Sequence, residues 1–410
     1  MNKTRNEWHI LLFVTLALVA FGLVMVYSAT SAPAALGNGD PTGYLERQGV
    51  YAGVGLVLLV LAARTPYRVW RKLGPPLLAI AFVLCVAVLV LGTPVNGARR
   101  WLTFGPAVFQ PSELAKLAIV VWAAAYLARR RAPASLGELA KPIGTVAAVF
   151  SALILLEPDL GTTVCIFVIL GALLLVSGTP LRVLGSAAAL AFFAAAVAIA
   201  IEPYRQERLF AFLDPWKDPQ DSGFQSVQAL IGIGSGGFFG KGLGQGVQKF
   251  DFLPEAHNDM IFAVVGEELG LVGSTLVILA YAAFAYAGLR VAMRATDPFA
   301  KRLAAGLTAL VCGQAVVNLA AVLALVPLTG IPLPFVSAGG SSLVVALTGM
   351  GVLLNIASGG GRGVAAMPDR GRRDGRSRAA RAGGGRRAAS PRRRSDVRRS
   401  ARPRRSPART

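Results

Sequence analysis

Carboxylates placed beside long apolar runs are the groups in this sequence best suited to chemistry. The stretch Leu253-Pro-Glu255-Ala-His257-Asn-Asp259 leads straight into the apolar Met260-Ile-Phe262. Asp259 fits a helix cap there. It also fits a general base, because burial near a low-dielectric boundary raises a carboxyl pKa toward neutrality. Glu255, four residues earlier, would tune such a base or orient a sugar. Glu157-Pro-Asp159-Leu-Gly-Thr-Thr163 sets two carboxylates in one tight turn. That turn suits the cap of the following helix, or a grip on a cation or a hydroxyl-bearing substrate.

Basic residues offer the complementary chemistry. Arg99 and Arg100 stand beside Trp101, a grouping that anchors a chain at a membrane interface and would equally suit a lipid-linked diphosphate. Pro111-Ser112-Glu113 suits a helix start with its acid in the first turn. Lys116 follows on the same face, inside an apolar run. The two read as a structural pair or as a functional one, since intramembrane charges are functional suspects. Arg208 and Lys241 add positive charge to the long stretch 202–260. Gly330-Ile-Pro332-Leu-Pro334-Phe-Val-Ser337-Ala-Gly-Gly-Ser341-Ser342 describes a tight turn or a broken, re-entrant segment. In the second case its exposed helix N-terminus would bind the phosphate of a lipid carrier. Gly232, Gly234 and Gly237 satisfy G-x-G-x-x-G, but no strand precedes them and no βαβ unit fits there. Close backbone approach or a flexible lid is the plainer reading of these glycines.

Composition says what must hold these groups. The chain has 410 residues, of which 54% are hydrophobic and 15% charged, and its mean hydropathy is +0.57. Soluble domains carry about 25% charged residues. Apolar segments run near 10–28, 48–63, 74–92, 112–128, 143–156, 161–177, 181–201, 262–289, 303–326 and 338–357, most of them long enough to cross a bilayer. The expected fold class is an all-α polytopic integral membrane protein of ten transmembrane helices, with a large outer loop at 202–260 between helices 7 and 8. The first segment is long enough to be retained and not cleaved as a signal peptide. Gln314 and Asn318, one turn apart in segment nine, fit interhelical hydrogen bonds or the lining of a polar cavity. The three cysteines each lie in an apolar run, as small hydrophobes do.

Charge sets the orientation. Arg64, Arg68, Arg71 and Lys72 follow segment two, Arg129 to Arg131 and Lys141 follow segment four, and Arg290, Arg294, Lys301 and Arg302 follow segment eight. The positive-inside rule puts these exits and both termini in the cytoplasm. The polar motifs then crowd the outer half of the membrane. Net charge is +21, but 361–410 alone carries +15 from 18 Arg and 3 Asp. Residues 1–9 are thus a short cytoplasmic N-terminus, 10–357 the membrane domain, and 358–410 a disordered, Arg-rich cytoplasmic tail drawn to anionic lipids. Nucleic acid is a weaker match for that tail.

Together the motifs resemble the SEDS family of bacterial membrane proteins, which covers FtsW, RodA and SpoVE. The resemblance rests on Asn96-Gly-Ala-Arg-Arg-Trp101, Gln110-Pro-Ser-Glu-Leu-Ala-Lys116, Glu157-Pro-Asp-Leu-Gly-Thr162, Leu253-Pro-Glu-Ala-His257 through Asp259, Gly266-Glu-Glu-Leu-Gly270, and Pro332-Leu-Pro-Phe-Val-Ser337 with Gly339-Gly-Ser-Ser342. The blocks stand in family order and span about 10 to 357. Asn258, Met260 and Ala338 depart from the family's usual Thr, Phe and Tyr. Asp214-Pro-Trp216 and the glycines at 234–237 look more like FtsW or SpoVE than RodA.

The resemblance implies the ten-helix SEDS fold and a peptidoglycan glycosyltransferase that polymerises lipid II into β-1,4 glycan strands at the outer face of the cytoplasmic membrane. It implies a septal role in cell division, with RodA-like elongation as the alternative. The family's catalytic Asp falls on Asp259 and its functionally important Trp on Trp101. Arg99, Arg100, Lys116, Arg208 and Lys241 become candidates for the diphosphate. Glu113, Glu157, Asp159, Glu255, His257, Ser337 and Ser341 become candidates for the rest of the substrate site. No soluble cofactor is required, and a divalent cation (Mg or Mn) would be compatible. The implied partners are a class B penicillin-binding protein and other division proteins. A lipid II flippase and a non-catalytic scaffold for the penicillin-binding protein are the rival classes.

Overall fold

The computed structural model describes residues 3–35, 41–95, 98–105, 107–250 and 252–359. Asn96, Gly97 and the arginine-rich 360–410 lie outside the described residues, so the expected lipid-binding tail does too. All ten expected segments are helices long and apolar enough to span a membrane. We label them α1 (Lys3–Ala35), α2 (Pro41–Arg64), α3 (Tyr67–Leu91), α4 (Pro111–Arg129), α5 (Leu136–Leu156), α6 (Leu160–Ser177) and α7 (Leu181–Ile201). After two shorter helices, α8 (Pro203–Leu213) and α9 (Phe224–Ser235), come α10 (Ile261–Arg294), α11 (Pro298–Val322) and α12 (Gly340–Ala357). The apolar segments read from sequence sit inside these bounds to within two residues except in the ninth. There α11 stops at Val322, because the chain turns with a positive φ at Ala324.

The centre of the bundle is α4, α11 and α12, whose side chains are mostly buried. Small residues let the backbones meet: a Cβ on Gly351 of α12 would fall 2.2 Å from the Leu59 carbonyl of α2, as close packing in lipid favours. At the other extreme, Val183 is the single buried side chain among the described residues of α7. Phe192 and Phe193 on that helix are exposed and suit acyl chains.

Successive spans run antiparallel, so loops gather at two ends. At one, Glu7 pairs with Arg294, and basic residues of α10 and α11 follow. At the other lie the loops that carry the candidate residues. The first of these corrects the all-α expectation locally. Three strands between α3 and α4, β1 (Thr93–Val95), β2 (Ala98–Phe104) and β3 (Ala107–Phe109), form an antiparallel sheet in the order β1-β2-β3. Its signal was present: an Asn-Gly pair between two extended segments is a hairpin signature, and β2 alternates. Ala98 and Leu102 are buried on one face, with Arg100 between them, while Arg99 and Thr103 are exposed on the other beside Trp101.

The long stretch 202–260 folds as α8, α9 and a glycine-rich loop that enters the bundle. α10 breaks at Gly270, where φ is +66° and ψ −158°. Such a break frees backbone groups that must find partners in lipid, and the glycine loop supplies them. Lys241 N–H and Gly242 N–H donate to the Glu267 and Glu268 carbonyls, both at 3.0 Å, and Leu271 N–H donates to the Gly237 carbonyl at 2.9 Å. A Cβ on Gly240 would sit 2.1 Å from the Glu268 carbonyl oxygen. Close backbone approach thus explains Gly240, whereas a Cβ on Gly234 or Gly237 of the G-x-G-x-x-G match would meet nothing within 4 Å. Gly270→Ala would meet the Gly240 nitrogen at 2.4 Å and force a positive φ on alanine. We expect it to lower the unfolding temperature in detergent measurably, whereas Gly234→Ala, where nothing lies within 4 Å, should cause little change.

Candidate active site

Asp259 sits in the turn that feeds α10. Asn258 N–H donates to the Glu255 carbonyl at 2.9 Å, with Glu255 at a φ of +54°. The Asp259 side chain is buried, and its Oδ1 has no hydrogen-bond partner among the described residues. Its facing wall is the segment 328–332 ahead of α12. Gly330, exposed and at a φ of +68°, leaves a gap in which a Cβ would stand 3.8 Å from Asp259 Oδ2. Arg208 of α8 donates to the Leu328 carbonyl at 3.3 Å on the same wall.

Burial pushes the Asp259 carboxyl up to about 7. The Glu255 carboxylate adds to the rise, while Arg208 and the backbone N–H groups of Asp259 and Met260 oppose it. The result is a carboxyl that exchanges its proton near neutral pH, as a general base requires. Burial likewise holds the His257 imidazole below its ordinary value, against the pull of Glu255.

One face of α2, which drew no attention in the sequence, organises this end of the bundle. Tyr44, Gln48 and Tyr51 are spaced by four and three residues, one helical face. The Tyr44 ring meets His257 edge-on at 4.9 Å. Gln48 donates to the Ser337 carbonyl at 3.0 Å. The Tyr51 hydroxyl donates to the Val108 carbonyl at 3.0 Å and accepts from its N–H at 2.8 Å. Each of three loops is thus pinned to one rigid helix. Ser337 turns its hydroxyl inward to accept from Leu333 N–H, and Ala338 N–H donates to the His257 carbonyl.

The sheet separates the basic residues that sequence grouped together. Arg99 is exposed on the open face with half-buried Trp101. Arg100 faces inward and donates to the Glu157 carbonyl at 2.9 Å and to that of Pro158. Asp159 caps α6: its Oδ1 accepts from Thr162 N–H at 2.9 Å, and its Oδ2 from Thr162 Oγ1 and Gln110 Nε2. Ser341 Oγ accepts from Gln110 N–H at 3.3 Å. This turn abuts the wall opposite Asp259, since a Cβ on Gly161 would be 2.6 Å from the Thr329 carbonyl.

Glu157 is fully buried, with no partner for either carboxyl oxygen among the described residues. Burial first, and Asp159 second, raise its pKa to about 8, against Arg100. A carboxyl raised in the fold contributes full stability below its unfolded pKa and loses it as pH rises through the folded value. Glu157→Gln should therefore leave thermal stability unchanged near pH 4.5 and raise it by about 1 kcal/mol or more at pH 8 to 9. Thermal unfolding in detergent across that range checks this.

Other candidates are committed elsewhere. Lys116 Nζ lies 2.8 Å from Glu113 Oε1 and 2.6 Å from Gln314 Oε1, all buried inside the bundle. Lys241 pairs with Glu267 at 2.8 Å, and Glu267 also accepts from the N–H groups of Val247 and Gln248. Glu268 accepts from Lys249 Nζ, Ser28 Oγ and Gly244 N–H. Among the described residues no three His, Cys, Asp or Glu side chains converge on a point that could hold a metal ion.

The same arrangement has relatives. The profile of the Cell cycle protein family, FtsW/RodA/SpoVE, matches residues 9–360. A "Probable peptidoglycan glycosyltransferase FtsW" of Mycobacterium tuberculosis is 40% identical over 370 residues, covering 90% of this chain and 71% of that protein. The protein of the same name from Nitrosococcus halophilus is 42% identical over 352 residues, covering 84% and 91%. Among solved structures, a chain from work on the structural coordination of polymerization and crosslinking by a peptidoglycan synthase complex superposes with a TM-score of 0.71 at 32% identity, over 85% of this chain and 97% of that one. The rod shape determining protein RodA of Thermus thermophilus superposes with a TM-score of 0.63 at 31% identity, over 84% and 95%. By profile, by sequence and by fold, the chain belongs to the FtsW/RodA/SpoVE family of multi-pass membrane proteins.

Proposed function

We propose that this protein is a peptidoglycan glycosyltransferase of the FtsW type that polymerises lipid II, with Asp259 as its general base. The observation that carries the reading is the Asp259 carboxyl itself: buried, poised near neutrality, with one oxygen unclaimed among the described residues and a glycine gap before the other. Asp259 takes the proton of the 4-hydroxyl of the acceptor N-acetylglucosamine. That oxygen attacks C1 of the donor N-acetylmuramic acid from the face opposite the diphosphate, so the new link is β-1,4. The C1–oxygen bond to undecaprenyl diphosphate breaks, and the leaving group carries the electron pair. Positive charge near that diphosphate stabilises the transition state. Arg208, bonded to the wall facing Asp259, and exposed Arg99 beside Trp101 are the candidates for it. Lys116 and Lys241 are already matched to carboxylates, which leaves them less charge to offer.

The basic exits support an orientation with the Asp259 end outside the cytoplasmic membrane and both termini inside. That is where a lipid-linked disaccharide is polymerised. The FtsW-named relatives favour a septal location. The solved relative in a synthase complex that couples polymerization to crosslinking supports a class B penicillin-binding protein as partner, supplying the cross-links. Purified protein incubated with lipid II, alone and with that partner, should give glycan ladders on a gel. Lipid II crossing vesicle bilayers with no ladder under any partner condition would instead support the flippase.

A further inference from the structure

Asn318 lies on α11, 59 residues from Asp259 in sequence, and is buried. Its Nδ2 donates to the Asp259 carbonyl at 2.7 Å and to the Ile331 carbonyl at 2.7 Å. Those carbonyls belong to the two opposing sides of the cleft: the turn that presents the carboxyl, and the wall that carries Gly330. Two carbonyl acceptors leave no ambiguity in the amide orientation, since the oxygen in that place would face two oxygens. Its Oδ1 has no partner among the described residues. The NH2 group alone does the holding.

One turn earlier, Gln314 extends the same arrangement. Its Oε1 accepts from Lys116 at 2.6 Å, which orients its Nε2 toward the Pro332 carbonyl at 2.9 Å and Ser342 Oγ at 3.3 Å. The buried Glu113–Lys116 pair thereby acts through Gln314 on the wall, and Asn318 acts on wall and base together. Packing alone would put an apolar residue at these positions of a bundle core. A buried amide with one half unsatisfied is retained there at a cost, so its held half must matter.

We propose that Asn318 is the positioning residue of the Asp259 cleft: one side-chain amide fixes the backbone of the base and the facing wall at a set separation, and so sets where the acceptor hydroxyl sits. The inference rests on Asp259 being the base. Proton abstraction needs donor and acceptor within hydrogen-bond reach, and a displacement of about 1 Å lowers rate by about 10²-fold. Glu255 and Arg208 are the charged groups that face the Asp259 carboxyl, so widening the cleft also changes its proton affinity by admitting water.

The test is lipid II polymerisation by the full chain with its penicillin-binding partner, comparing wild type, Asn318→Leu, Asn318→Gln, Val316→Ala and Asp259→Ala. N318L should lower kcat by about 10²-fold with KM for lipid II within about twofold, and move the acid limb of the pH profile to lower pH. N318Q, which keeps the NH2 on a longer arm, should recover part of the rate. V316A, at an exposed position of the same helix, should match wild type. Should N318L not fold, Asn318→Ser, too short to reach both carbonyls, replaces it under the same criteria. An N318L protein with wild-type kcat and pH profile, beside an inactive D259A, would overturn the positioning role and leave the base intact. Full activity in D259A would overturn the base and this inference with it.

Discussion

Asp259→Ala should abolish glycan formation while leaving the protein folded and its partner bound. General-base catalysis contributes about 10² to 10⁴-fold, and the other carboxyls near the cleft are placed differently: Glu255 is exposed, Asp159 is spent on capping α6, and Glu157 is fully enclosed in the turn before that helix. kcat should fall by that factor with KM for lipid II nearly unchanged, because the carboxyl acts on a proton in flight and contributes little to ground-state binding. Asp259→Asn should be as inactive as alanine. It matches the shape of the carboxyl and cannot take the proton, so any activity it retained would assign the side chain a binding role. Removing a buried group whose charged form is disfavoured should not harm stability. By the linkage that applies to Glu157, D259N should melt with wild type near pH 4 and at or above it at about pH 7 to 8.

The largest stability effect is expected at Lys249. Its ammonium is buried and lies 2.8 Å from Glu268 Oε1 and 3.1 Å from Ser28 Oγ, at the break of α10 where the glycine loop enters. Lys249→Ala strands the Glu268 carboxylate in a low-dielectric interior. Breaking a buried pair from one side costs about 3–5 kcal/mol, a large share of the stability of an ordinary domain. The loop that leads into the Asp259 turn should loosen, with faster proteolysis in 236–250 and loss of polymerisation. Adding Glu268→Gln to that variant removes the stranded charge and should return much of the stability, because replacing both partners of a buried pair is far milder than removing one. A double variant as unstable as K249A would contradict this account of the cluster.

Much of this was legible in sequence, and what was not has physical causes. Ten spans follow from the length of apolar runs, since helical backbone in lipid leaves no other solution. Asp159 could be read as a cap from its place before Leu160-Gly-Thr, and it is one. Asp259 could be read as a candidate base because an acid at an apolar helix entrance must feel desolvation. The sheet of β1, β2 and β3 is signalled in sequence only by the Asn96-Gly97 pair and the alternation along β2, because its other two strands are three residues long. Arg99, Arg100 and Trp101 were read as one group, but alternation along β2 sends Arg100 inward to the Glu157 turn and leaves the other two on the open face. The Glu113–Lys116 pair is readable from its i,i+3 spacing, whereas Lys241 finds its acid, Glu267, only in three dimensions. Tyr44, Gln48, Tyr51 and the double grip of Asn318 hold loops that are distant in sequence. No local pattern names such partners.

The role of the buried Asp259 carboxyl as base in glycosyl transfer can be read from the pH dependence of kcat for lipid II polymerisation. Single-turnover rates on wild type should rise through a midpoint near the Asp259 value of about 7, since only the ionised carboxylate accepts the proton. Glu255→Gln removes a negative neighbour that raises that value, so its midpoint should move to lower pH. A rate that is flat from about pH 5.5 to about 8 in both proteins would contradict the assignment of Asp259 as the base.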